Sequence, residues 1–382
     1  MRLARLALAA AALALAGCTS YNPLVALGFK SEAANKPTPL APINASANPR
    51  AIWTANVGKS RGFEFRPAYS GGRVYAASAD GEVSALDEDT GHLAFHFDTQ
   101  KKLSGGVEVG DALVVVGTLK GEVLAFDPAG KPLWTATVTG EVIAPPAVSN
   151  RIVVVRTSDS RLYGFDATDG KRKWVFQRPA PALLLRSDAG VLALGRDVVA
   201  GYPNGKLIAL DLEDGKLTWE AAVAQPRGST ELERIADVAG LPVVDGNTAC
   251  AGAFQGKIAC FEISTRNMMW SRDLSTARSL ALDPKNVYVV DDTGAVQALG
   301  RSQGASVWKQ DKLKYRRLTA PVVLDGRVVV GDYQGYLHVL SPDNGDLIGR
   351  LATDGTPVNS IVPISGGLLV QTDGGSVLLV KI

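Results

Sequence analysis

Eight times along the chain an alternating apolar run follows a glycine or its stand-in, at intervals near forty residues. The runs begin at Gly81 (Gly81-Glu-Val-Ser-Ala-Leu-Asp87), Gly121, Ser160, Gly205, Gly256, Gly294, Gly335 and Gly375. About fourteen residues after each start the chain usually carries an aromatic side chain. One unit of this size cannot bury its own apolar face, so neighbouring units must stack to form a core. The period continues from about residue 50 to residue 382, so one repeat structure takes up nearly the whole chain although its length alone allows several domains.

Turn chemistry divides each repeat into strands. A β-branched run precedes each repeat glycine, as in Arg73-Val-Tyr-Ala-Ala-Ser78 or Arg327-Val-Val-Val-Gly331, and a polar turn such as Ala79-Asp80-Gly81 reverses the chain. The alternating run then returns antiparallel, which predicts a hairpin. A second turn follows, for example Thr90-Gly91, Asp169-Gly170, Asp214-Gly215 or Asn344-Gly345, where glycine supplies positive φ. A few residues on lies an outer strand carrying Phe95, Trp134, Trp174, Trp219, Trp270 or Trp308. With the short apolar stretch before each hairpin this makes four strands per repeat, and four-stranded antiparallel sheets repeated radially make an all-β, eight-bladed β-propeller. The last run has no fourth strand after it, whereas Ile52-Trp53 has the look of an outer strand with no hairpin before it. That early strand is expected to complete the last blade and close the ring, removing an exposed edge. The tryptophans are expected to serve packing between blades. Gly349 stands where the seventh repeat should have its aromatic residue, which predicts a weaker contact at that seam.

The first residues read differently. Arg2 and Arg5 precede an apolar run at positions 6–16, which is too short for a bilayer core of about 30 Å and reads as an export signal over residues 1–17. The run ends in Leu15-Ala16-Gly17-Cys18, which resembles the bacterial lipobox. The resemblance implies that Cys18 becomes an acylated N-terminal residue, and Thr19, not being Asp, implies the outer membrane and its periplasmic face. Several acyl chains on one residue anchor a protein firmly. Residues 18–48, with Pro37, Pro39 and Pro42, read as a flexible tether, and residues 49–382 as the propeller.

The 40 Lys and Arg against 38 Asp and Glu give a formal net charge of +2, so no global field recruits nucleic acid. The segments Phe165-Asp-Ala-Thr-Asp-Gly-Lys-Arg-Lys-Trp174 and Leu210-Asp-Leu-Glu-Asp-Gly-Lys-Leu-Thr-Trp219 resemble the repeat of pyrroloquinoline-quinone-dependent alcohol dehydrogenases, and alcohol oxidation is the competing reading. Those enzymes hold the quinone by two adjacent cysteines and a Ca²⁺ bound by Glu and Asn. This chain has only Cys18, Cys250 and Cys260, and no Cys-x-x-Cys-His for haem. Its His92, His96 and His338 do not share a helical face, and no nucleophile elbow or phosphate loop is present. The expectation is no cofactor and no catalysis. Cys250 and Cys260 lie on the two arms of one hairpin, where a disulfide and two buried thiols are both open.

Most intervals between repeat starts are 38 to 41 residues, but Ser160 to Gly205 takes 45 and Gly205 to Gly256 takes 51. Both excesses lie in the connection that leads into the innermost strand of a blade. Strand alternation puts these connections on the same ring face as the central hairpin turns. The first holds Leu183-Leu-Leu-Arg186 and the second Gly228-Ser-Thr-Glu231, Glu233, Arg234 and Asp237-Val238. Arg186 and Asp237 each lie nineteen residues before the next repeat glycine, so they are equivalent in adjacent blades. One reading is structural, with the leucines in the core and Arg186 paired to Asp237 or Glu233. The other is an apolar patch with a charged rim, the anatomy of a protein interface.

The lipobox, the Pro-rich tether, the quinone-type repeats without quinone residues, these two connections and Val329-Val-Gly-Asp-x-x-Gly-Tyr-Leu-His338 together resemble the BamB family. These are the propeller lipoproteins of the outer-membrane β-barrel assembly (BAM) machinery, and the likeness covers the mature chain. The resemblance implies a non-catalytic scaffold that docks on the periplasmic POTRA domains of BamA, works with the other BAM subunits, and assists insertion of barrel proteins. Unfolded barrel strands are a further possible partner through blade edges. The family's contact residues match Leu183, Leu185, Arg186 and Asp237. A second acidic position of the family is Ala239 here, and Glu233 is the residue expected to compensate.

Overall fold

The computed structural model describes residues 36–179 and 181–382; the expected signal, Cys18 and the first part of the tether lie outside them. Two compact units divide after Thr38, and the second, Pro39–Ile382, holds the propeller. Among the described residues are 32 strands, grouped into eight four-stranded sheets. Blade one is Ala68–Ser70, Arg73–Ala77, Glu82–Asp87 and Leu93–Asp98, and all its pairings are antiparallel. The six blades that follow repeat this order. Blade eight is built from Val358–Ile364, Gly367–Thr372, Ser376–Lys381 and, as its outer strand, Arg50–Asn56. The early strand therefore closes the ring as expected.

The second and third strands of each blade are almost wholly buried, as in Leu113–Gly117 and Ile152–Arg156. Each sheet is covered by a neighbour on both faces, so these strands are apolar on both sides. Eight hydrophobic clusters result, one for each seam between adjacent blades.

Tryptophans and glycines staple these seams. Trp53, Trp134, Trp174, Trp270 and Trp308 each lie against a positive-φ glycine in the last turn of the next blade. Those glycines are Gly91, Gly170, Gly215, Gly304 and Gly345, and a Cβ on any of them would fall within 2.4–2.6 Å of the ring. Each indole Nε1 also donates to a backbone carbonyl of that turn: Glu88, Ala167, Leu212, Arg301 and Pro342 respectively, at 2.6–2.9 Å. At blade one the ring on the glycine turn, at Gly130, belongs to Phe97 rather than the expected Phe95. The burial of an aromatic face and the satisfied N–H account for the tryptophans without a ligand.

The seventh seam departs from expectation. Blade eight has no last turn to receive an aromatic ring, because its third and fourth strands come from distant parts of the chain. The segment leading into Arg50–Asn56 occupies the place instead. Backbone N–H groups of Ser46 and Ala47 donate to the Ile348 carbonyl, both at 2.9 Å, and Arg350 donates to the Ala41 carbonyl at 3.0 Å. A Cβ at Gly349 would lie 3.0 Å from Pro49 Cδ and 3.1 Å from the Ala47 carbonyl oxygen. Ala47 joins the cluster between blades seven and eight, and Ile43 the one between six and seven. Gly349 thus leaves room for a different filler, and the tether expected over residues 18–48 is corrected at its end: from Ala41 onward the chain is docked.

Cys250 and Cys260 stand directly opposite each other in blade five and form a disulfide with Cα atoms 4.1 Å apart. Both are fully buried, which resolves the choice that the hairpin spacing leaves open.

Candidate functional site

Three consecutive connections on one ring face are locked together. The connection into blade four hydrogen-bonds the connection into blade five twice: Leu185 N–H donates to Asp237 Oδ2 at 2.7 Å, and Ser187 Oγ donates to the Ala239 carbonyl at 2.6 Å. Asp237 Oδ1 accepts the Asn204 N–H at 3.0 Å, in the central hairpin turn of blade four. Asp237 is buried, 4% exposed. Burial pushes its carboxyl up, against the two amides and Arg156, which favour the charged form. It acts as a brace that fixes the leucine segment, and it is not on the rim as the sequence leads one to expect.

Arg186 does not meet Asp237 or Glu233. It reaches the other way, and its Nε and one terminal nitrogen donate to Glu141 Oε2 at 3.1 and 2.8 Å. Glu141 sits in the connection into blade three and escapes the sequence reading. A signal was available: it lies nineteen residues before Ser160, the same offset as Arg186 and Asp237 from their repeat positions.

Glu233 is engaged within its own turn. Its Oε2 accepts the Ser229 and Thr230 N–H groups at 2.8 and 3.0 Å, and Thr230 Oγ1 accepts the Glu233 N–H at 3.2 Å. This is a reciprocal capping arrangement. The two amides hold the Glu233 carboxyl below the usual range. Arg234 closes the turn by donating to the Gly228 carbonyl at 3.1 Å, and Gly228 needs its positive φ of 130° there. The turn presents Leu232, 63% exposed, while Leu183 is 46% exposed and Leu185 is half-buried. The leucine segment is therefore not simply core.

Inside the ring the innermost strands surround a cavity of about 920 Å³. Glu64, from the connection into blade one, accepts from Arg278, in the connection into blade six, at 2.8 Å. Burial, and then the neighbouring Asp188, pushes the Glu64 carboxyl up to about 7. Glu108 also rises to about 7 through burial, partly offset by Arg66. His338 is sealed inside blade seven, where Nε2 lies 2.9 Å from Asp332 Oδ2 and Arg316 pairs with the same carboxylate at 2.7 Å. Among the described residues no group of three or more His, Cys, Asp and Glu is placed to hold a metal ion.

A closed eight-bladed propeller with quinoprotein-type repeats defines the class of the protein, and its distinctive surface is the face with the braced connections and their exposed leucines. Residues 79–310 match the family model described as outer membrane protein assembly factor BamB. The chain is 42% identical to the protein of that name from Nitrosomonas eutropha, over 88% of this chain and 82% of the relative. It is 39% identical to the one from Bordetella pertussis, over 97% and 94%. The crystal structure of BamB from Moraxella catarrhalis is similar at 28% identity and a TM-score of 0.82, with 87% of this chain and all of that one covered. The chain belongs to the BamB family. Quinohemoprotein alcohol dehydrogenase from Comamonas testosteroni shares the fold alone, at 13% identity and a TM-score of 0.71 over 87% of this chain and 76% of that one.

Proposed function

We propose that this protein is a non-catalytic scaffold of the outer-membrane β-barrel assembly complex. It binds the POTRA domains of BamA through the connections into blades four and five, and so assists insertion of barrel proteins. In this reading residues 1–17 are the export signal, Cys18 carries the lipid, and the propeller works at the periplasmic face of the outer membrane. The observation that supports it best is the bracing of Leu185 by buried Asp237. That hydrogen bond holds a partly exposed leucine segment in one shape before any partner arrives, and such preorganisation favours affinity. Leu183, Leu185 and Arg186 form the contact, and Asp237 supports it from beneath.

A co-purification experiment tests this. Membranes carrying the Leu183→Ala, Arg186→Glu double variant should lose BamA from the purified protein while the variant itself accumulates normally. Retention of BamA at the wild-type level sinks the site assignment.

A further inference from the structure

We infer that this docking surface has an arginine rim around exposed leucines, and that its partner presents carboxylates around an apolar centre. The inference rests on the docking reading above and adds the chemistry of the partner's surface. Acidic and basic side chains look balanced in the two connections, but the structure points them in different directions. Asp237 is buried, and both of its oxygens accept backbone amides. Glu233 has its carboxylate turned back onto the amides of Ser229 and Thr230. Neither can meet a partner's cation without giving up those amides: Asp237 would release the Leu185 segment, and Glu233 the turn that presents Leu232.

The arginines point outward. Arg227 is exposed and makes no ion pair among the described residues. Arg234 is exposed, and its only ion pair is a long one, 3.6 Å, to Glu231. The Arg186 side chain is 57% exposed and meets only one oxygen of Glu141. A guanidinium has five N–H donors in a planar fork, so each of the three can still bind a carboxylate from outside. Leu183 and Leu232 are exposed on the same two connections that carry these arginines, and the Leu185 and Ser187 hydrogen bonds join those connections. Exposed ion pairs such as Arg186–Glu141 are worth little in water, so Glu141 positions the guanidinium without locking it away. Charge complementarity thus selects an acidic protein surface with an apolar centre.

Binding of the full-length protein, in detergent, to the soluble periplasmic region of BamA tests the inference. Arg227→Glu and Arg234→Glu should each weaken binding about tenfold at low salt and flatten its dependence on salt, as removal of a steering charge does. Leu232→Ala should weaken binding at every salt concentration. Glu231→Gln should leave it unchanged or tighten it. All these positions are exposed, so unchanged thermal unfolding serves as the folding control. Arginine reversals without effect, in a protein that still responds to Leu183→Ala, overturn the arginine rim and leave the docking reading standing. Wild-type protein that fails to bind BamA overturns both. Loss of binding to phosphatidylglycerol vesicles in the arginine variants, with BamA binding intact, reassigns the rim to a lipid surface and also overturns the inference.

Discussion

The seams after blades three and seven solve the same packing problem with different parts. After blade three, Trp174 lies on Gly215 and donates to the Leu212 carbonyl at 2.9 Å. After blade seven there is no turn for a ring to lie on, and the segment from Ala41 to Pro49 fills the place beside Gly349. The difference shows that the aromatic position serves the neighbouring turn rather than its own strand. Where closure removes the turn, a large side chain is an obstruction.

Breaking the first seam should have the largest effect. Trp174→Ala removes a ring that is 7% exposed together with its hydrogen bond, and the loss of stability should be about 3–5 kcal/mol, read by denaturant unfolding. Forcing the second seam to imitate the first comes next. Gly349→Trp should cost about 1–3 kcal/mol through overpacking, and it should open residues 41–48 to proteolysis; a stabilised, protease-resistant variant would mean that the segment is a passive occupant. The smallest effect lies in the channel that both seams border and sets the background for the other two. The carboxyls of Glu64 and Glu108 are raised to about 7, so the stability they contribute is complete below their ordinary value of 4.5 and is lost as pH rises through about 7. Wild-type protein should therefore lose on the order of 1 kcal/mol between about pH 5 and pH 8, after allowance for the 37% exposure of the Glu64 side chain. Glu108→Gln should flatten that slope in a thermal-shift series without altering the order of the seam variants.

The ring was legible in the sequence because its cause is periodic. Glycine turns, apolar alternation and the orphan strand at Ile52-Trp53 each report a local requirement repeated at fixed spacing. The filler at Gly349 was not legible, because the gap and its occupant are some three hundred residues apart and residues 41–49 show no pattern of their own. At the proposed docking surface the spacing located the leucines, Arg186 and Asp237, but it could not tell an outward carboxylate from a buried brace. That distinction depends on which amides point at Asp237 and Glu233. Glu141 was missed because its connection has ordinary length, although its offset from Ser160 matches that of Arg186 from Gly205.

Closure of blade eight also has a kinetic side. Strand Arg50–Asn56 pairs with Ser376–Lys381, more than 300 residues away in sequence, whereas every other blade assembles from strands close together along the chain. The first seven blades can form from local hairpins, while the last pairing must await a contact of very high sequence separation, the kind that folds slowly. Until it forms, one unpaired edge persists on a nearly complete ring, and the nascent molecule is then most open to aggregation and to binding by a chaperone.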